Sequence, residues 1–102
     1  MATYFLLFEG EPSEESDLYG KIGGAFLCCY TLATHATYAR HRCQEELLAE
    51  GWIITDETHN HVIVRDDLST QEDLERFDQA QLDGFCCTAQ LWPLQDGDEY
   101  VH

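Results

Sequence analysis

Apolar residues in this chain gather into short runs separated by polar, mostly acidic stretches, and the runs obey two periods. Residues 3–8 are β-branched, aromatic or apolar throughout and stop at Glu9 and Gly10, which predicts a buried strand. Residues 25–32 form a second run of the same kind. Between them, residues 11–24 carry Pro12, three glycines, two serines and a cluster of acids, so an acidic loop is expected there, tacked down through Leu18, Tyr19 and Ile22. Two short runs at 52–55 and 61–64 predict a third and a fourth strand, joined as a hairpin by a turn over residues 56–60. Residues 85–92, ended by Pro93, predict the last strand.

Helical periodicity occupies the two remaining segments. Ala39, Cys43 and Leu47 recur four apart on one face, with Ala36 and Leu48 beside them, while Arg40, Gln44, Glu45, Glu46 and Glu50 point elsewhere. Thr34 is the expected N-cap of this helix, and Gly51 supplies the left-handed residue that ends it. Ser69, Thr70, Gln71 and Glu72 have the spacing of a capping box, with Ser69 as cap, ahead of a second helix that buries Leu74, Phe77, Ala80 and Gln81 and stops at Gly84.

Taken in order, these elements predict one α+β domain over residues 1–102: a ferredoxin-like sandwich with a mainly antiparallel sheet, both helices on one face, and an extra N-terminal strand. The acidic tail at residues 95–102 is expected to fray. Strands as apolar as 5–8 and 85–92 are too oily on both sides to leave one face in water. Pairing of that face with a second copy, as a homodimer, is therefore the expected arrangement.

Charge narrows the range of partners. Twenty acidic residues against five basic ones give a net charge of -15. Nucleic-acid binding depends on Lys and Arg displacing counterions, and an anionic membrane would repel such a chain, so neither direct nucleic-acid nor membrane contact is expected. The same field would steer a basic protein toward it. Residues 1–8 carry no basic segment ahead of their apolar run, and no apolar stretch approaches the roughly 20 residues a bilayer requires. A cytoplasmic protein is the expectation. Five cysteines, an odd number, with two adjacent pairs inside apolar runs, suit reduced buried thiols better than a disulfide framework.

Few residues stand out for chemistry. His59 and His61, two apart on a strand, would share a face and could share a metal ion. The pairs Cys28 and Cys29, and Cys86 and Cys87, lack the spacing that converges two thiolates on zinc; each should send one thiol to either face, and one from each pair could meet if the two strands are neighbours. Arg40, His41 and Arg42 form the only basic cluster and the best anion-binding candidate, although i,i+4 pairing such as Arg42 with Glu46 explains it as helix surface. Trp52 and Trp92 are candidate partner anchors, with core packing as the alternative. No catalytic constellation is present in the sequence and no cofactor is expected.

The run from Tyr30 through Ala33, Thr34, Ala39, Cys43 and Leu47 to Gly51 and Trp52, continued by Phe77, Ala80, Asp83, Gly84, Trp92 and Pro93, resembles a pattern in small uncharacterised bacterial ferredoxin-like proteins. That resemblance covers about two-thirds of the chain by strand and helix pattern. It implies the fold and no activity, and Cys43 departs from the alanine usual in the pattern. Three functions follow as expectations: a non-enzymatic interaction or regulatory module whose acidic surface recognises a basic protein, a dimeric α+β-barrel enzyme or ligand-binding protein using His35, His41 or His59, and a histidine-based metal binder.

Overall fold

A computed structural model describes residues 1–94. Its elements are β1 (Ala2–Pro12), β2 (Ile22–Ala33), α1 (Ala36–Ala49), β3 (Trp52–Ile63), a 3₁₀ turn (Arg65–Asp67), α2 (Gln71–Asp83) and β4 (Phe85–Pro93). The four strands form a single antiparallel sheet in the order β3-β1-β2-β4, so the first hairpin occupies the centre and the later strands add to its two edges.

The fold is α+β with two helices, as the sequence predicts, but it departs from the expected sandwich in three ways. The fourth strand predicted at residues 61–64 does not exist separately: residues 52–63 are one 12-residue strand, and the expected turn at 56–60 is part of it. This segment holds no glycine or proline to reverse the chain, and β1 offers it a partner along its full length. The register slips twice, between Leu7 and Phe8 and between Glu9 and Gly10, where Thr58 and Thr55 are the unpaired extra residues of β3. Each threonine donates its hydroxyl to a β1 carbonyl, Thr58 to Leu7 and Thr55 to Glu9, both at 3.1 Å, so the interrupted ladder stays bonded.

The second departure concerns the helices. Even-numbered side chains of β1 and odd-numbered ones of β2 point to one face, where Tyr4, Leu6, Phe8, Leu27 and Cys29 pack against Ala39, Cys43 and Leu47 of α1. The opposite pleat carries Phe5, Tyr30, Ile63 and Cys86, and these meet Phe77 and Ala80 of α2. The helices thus lie on opposite faces, not together on one. A geometric reason is visible in the strand order. The link from β3 to β4 must travel from one edge of the sheet to the other, and α1 already lies across β3, β1 and β2 on the first face. The remaining route is over the second. Third, with four strands in this order, the ferredoxin-like arrangement is not reproduced.

Local signals place the helix ends to within a residue or two. His35, not Thr34, caps α1, its ring Nδ1 accepting from the Tyr38 amide at 3.2 Å. Thr70, not Ser69, caps α2, its hydroxyl accepting from the Asp73 amide at 3.1 Å. Here the helix begins one residue later than expected, so the threonine meets the Asp73 amide where the serine would have met that of Glu72. Gly51 and Gly84, with φ of 93° and 82°, end the helices as predicted. β1 and β2 both run farther than their apolar cores, taking in Glu11 and Pro12 on one side and Ile22 to Gly24 on the other, which shortens the expected loop.

Burial is concentrated under α1. Phe8, Leu6, Leu27 and Leu47 are wholly enclosed there, each contributing about 1.5–3 kcal/mol of hydrophobic stabilisation. The second cluster is smaller, and α2 enters it through one large side chain, Phe77. Arg65 clips the 3₁₀ turn to α2 by a two-pronged bond to Asp78 at 3.0 and 3.1 Å. The predicted tail at 95–102 lies outside the described residues.

Candidate functional site

Register sorts the α2 face of the sheet into rows that cross the strands. The first, beneath α2, holds His61, Phe5, Tyr30 and Cys86; the second, His59, Leu7, Cys28 and Thr88; the third, Asp56, Glu9, Phe26 and Gln90. A last row sets Ile53 and Glu11 on one side and Trp92 over Gly24 on the other. Because α2 has only 13 residues, about 20 Å at 1.5 Å per residue, it cannot roof strands of 11 and 12 residues. Among the described residues, no helix covers the third and fourth rows.

This open half divides lengthwise. On the β3 and β1 side, Asp56, Glu9 and Glu11 form an acidic strip; on the β2 and β4 side, Phe26 and Trp92 pack together at a tilt of 59° with ring centroids 5.0 Å apart. Phe26 remains 39% exposed and Ile53 45%. Trp92 lies flat because Gly24 has no side chain: a Cβ there would stand 2.5 Å from the indole Cζ2. Among the described residues no ion pair involves Glu9, Glu11 or Asp56, whereas Arg40, Arg42, Arg65 and Arg76 are each bonded to a carboxylate elsewhere.

Where α2 meets the covered half, a cleft of about 240 Å³ opens between helix and sheet, lined by Phe5, Cys28, Tyr30, His61, Ile63, Leu68, Asp73 and Arg76. Tyr30 is buried, and that burial, reinforced by the neighbouring Asp73 charge, raises its hydroxyl to about 12. Burial likewise raises the Cys28 thiol. Arg76 is held by Glu72 at 3.3 Å and Asp73 at 3.6 Å.

The residues singled out in the sequence scatter. Arg40 leaves α1 to grip Glu57 of β3 with two bonds of 2.8 and 2.9 Å. His41 faces Glu45 at 3.4 Å, while Arg42 reaches Glu46 at 3.6 Å and lies over the Phe85 ring, so the three basic residues are directed to separate partners. Trp52 is buried under α1, and Trp92 sits at the open edge. His59 and His61 do share a face, with ring centroids 6.1 Å apart and Phe5 alongside. Among the described residues no group of three or more His, Cys, Asp or Glu side chains is arranged to hold a metal ion. Cys29 and Cys87 meet across β2 and β4 under α1. The acidic strip, Phe26, and the cleft residues Tyr30, Asp73 and Arg76 were not singled out, because only strand register brings them together.

No helix among the described residues is long and apolar enough to cross a membrane. No protein family, curated protein or solved structure matches this chain.

Proposed function

We propose that this chain is a non-catalytic binding module that docks a basic, amphipathic segment of another protein on the open half of its α2 face. The observation that carries this reading is the division of that surface into an acidic strip and an aromatic strip side by side. A segment presenting Lys or Arg to one edge and apolar side chains to the other would satisfy both at once. The net charge of -15 would hasten its approach, and the paired Phe26 and Trp92 rings would supply the desolvated centre where interface energy concentrates.

A second copy of the chain is the competing occupant. It too would cover the oily half, but it would bring another twenty acids to a surface with no free arginine of its own to meet them.

A synthetic 12-residue peptide alternating Lys with Leu supplies the test, with binding measured by titration calorimetry at low and moderate salt. Affinity should fall as salt rises and should drop about tenfold or more in Phe26→Ser, with a smaller loss and a flatter salt dependence in the double variant Glu9→Gln, Glu11→Gln. Equal binding by all three proteins would remove the reading. Concentration-dependent dimers in sedimentation that vanish in Phe26→Ser would assign the surface to a second copy instead.

One observation favours a second function. The cleft beside Tyr30 sets the apolar walls of Phe5, Ile63 and Leu68 beside His61, Asp73 and Arg76, which suits a small ring-bearing ligand with a polar edge better than a protein segment. Chemical-shift changes confined to Tyr30, His61 and Leu68 on adding indole or a similar heterocycle would support ligand binding there, and their absence at millimolar concentration would exclude that ligand class.

A further inference from the structure

Cys29 of β2 and Cys87 of β4 are directly opposed residues of neighbouring antiparallel strands, and their sulfurs stand 3.4 Å apart. Opposed residues in such a pair have Cα atoms about 4.5–5.5 Å apart, within the range of about 4.4–6.8 Å that a disulfide bridges. Closing the sulfurs to about 2.05 Å takes a shift of about 1.3 Å, which rotation of two side chains can supply. Cys43 descends from α1 onto the same spot; its bond to Cys29, together with that of Cys87 and the burial, holds the Cys29 thiol protonated far above the ordinary range. Cys29 and Cys43 are fully enclosed, whereas Cys87 is only half-buried on an edge strand and is the sulfur a small oxidant reaches.

From this cluster we infer that Cys29 and Cys87 form a reversible two-electron redox pair, oxidised within the folded chain to a cross-strand disulfide by a hydroperoxide. In the first step the Cys87 sulfur, as thiolate, attacks a peroxide oxygen; the O–O bond breaks and the departing oxygen leaves as water after taking up a proton, giving a sulfenic acid. In the second, the Cys29 sulfur attacks the Cys87 sulfur, the S–O bond breaks, and the hydroxyl leaves as a second water with the Cys29 proton. Two thiols lose two electrons and two protons, and one hydrogen peroxide becomes two waters. A dithiol reductant reverses the process by exchange.

The register also dictates which cysteines stay out. Cys28 and Cys86 project to the other face and are diagonal, Cys28 facing Thr88 and Cys86 facing Tyr30, a relation that sets such residues roughly 7–8 Å apart, farther than directly opposed ones. Adjacent residues 28 and 29, like 86 and 87, point to opposite sides of the sheet. The reactive pair lies on the α1 face, so its chemistry is independent of anything that docks on the acidic strip.

Treatment of the folded, full chain with hydrogen peroxide, followed by alkylation and peptide mapping, tests the pair. The expected product has lost about 2 Da, shows three free thiols in place of five, and yields one linked peptide joining Cys29 to Cys87 that dithiothreitol separates. The double variant Cys28→Ser, Cys86→Ser should form the same link, and Cys87→Ser should not; should Cys87→Ser fail to fold, the double variant still decides. Cross-links between chains, a Cys28–Cys86 link, or Cys87 driven to sulfinic acid with Cys29 still free would each overturn the inference.

Discussion

Truncation of Phe77 probes the placement of α2 most directly. Phe77 is 9% exposed and is the only large buried side chain that α2 contributes, with Ala80 as its single buried companion. A phenylalanine buries about 150–200 Å² of apolar surface, worth about 4–5 kcal/mol at ~25 cal/mol per Å², and alanine keeps only the Cβ part of it. Phe77→Ala should therefore cost about 3–4 kcal/mol in denaturant unfolding, within the usual span for such a cavity. Because the side chain anchors one face alone, hydrogen exchange should show the α2 amides losing protection before those of α1. The milder Leu47→Val in the α1 cluster, at about 1 kcal/mol, should add to Phe77→Ala within about 0.5 kcal/mol, since the two side chains belong to separate clusters on opposite sides of the sheet. Coupling of about 1 kcal/mol or more, or simultaneous loss of protection in both helices, would refute the two-faced arrangement.

Cap identity is checked by a pair of variants: Thr70→Ala should cost about 1 kcal/mol, and Ser69→Ala should stay within about 0.5 kcal/mol, by chemical denaturation. Gly24→Ala would place a methyl 2.5 Å from the Trp92 ring and 2.9 Å from the Gly10 carbonyl oxygen, so it should destabilise by about 1–3 kcal/mol and shift tryptophan emission to the red as the indole leaves Phe26. The Tyr30 hydroxyl, raised from 10 to about 12, holds its proton longer in the folded chain than in the unfolded one; its contribution is complete below pH 10 and is lost as pH rises from 10 toward about 12. Denaturation midpoints across that window should fall less steeply in Tyr30→Phe, and identical slopes would contradict the assignment.

Much of the secondary structure was legible because its signals are local. The stripe of Ala39, Cys43 and Leu47, the left-handed Gly51 and Gly84, and the apolar cores of β1, β2 and β4 all report on neighbours a few residues away. β3 was not legible as one strand because Thr55 and Thr58 each insert a residue, so its alternation changes phase twice and reads as two pieces with a turn between. The oily character of both sheet faces was evident in the sequence. That α2 covers half of the second face depends on strand order, which only the packed chain settles. The candidate surface was hidden for the same reason, since Glu9, Asp56 and Phe26 are distant in sequence and adjacent only through register. The meeting of Cys29 with Cys87 was foreseeable from alternation alone once β2 and β4 are neighbours.

The doubly bulged β3 has a further consequence at the sheet's outer border. A straight twelve-residue rim with open amides and carbonyls would be a template for fibrillar stacking of chain upon chain. Two phase slips bend that rim out of line, and the Asp56 carboxylate, with no ion-pair partner among the described residues, seeds repulsion between any copies brought edge to edge. Straightening β3 by deleting either threonine would therefore endanger colloidal behaviour before it endangered the hydrophobic interior.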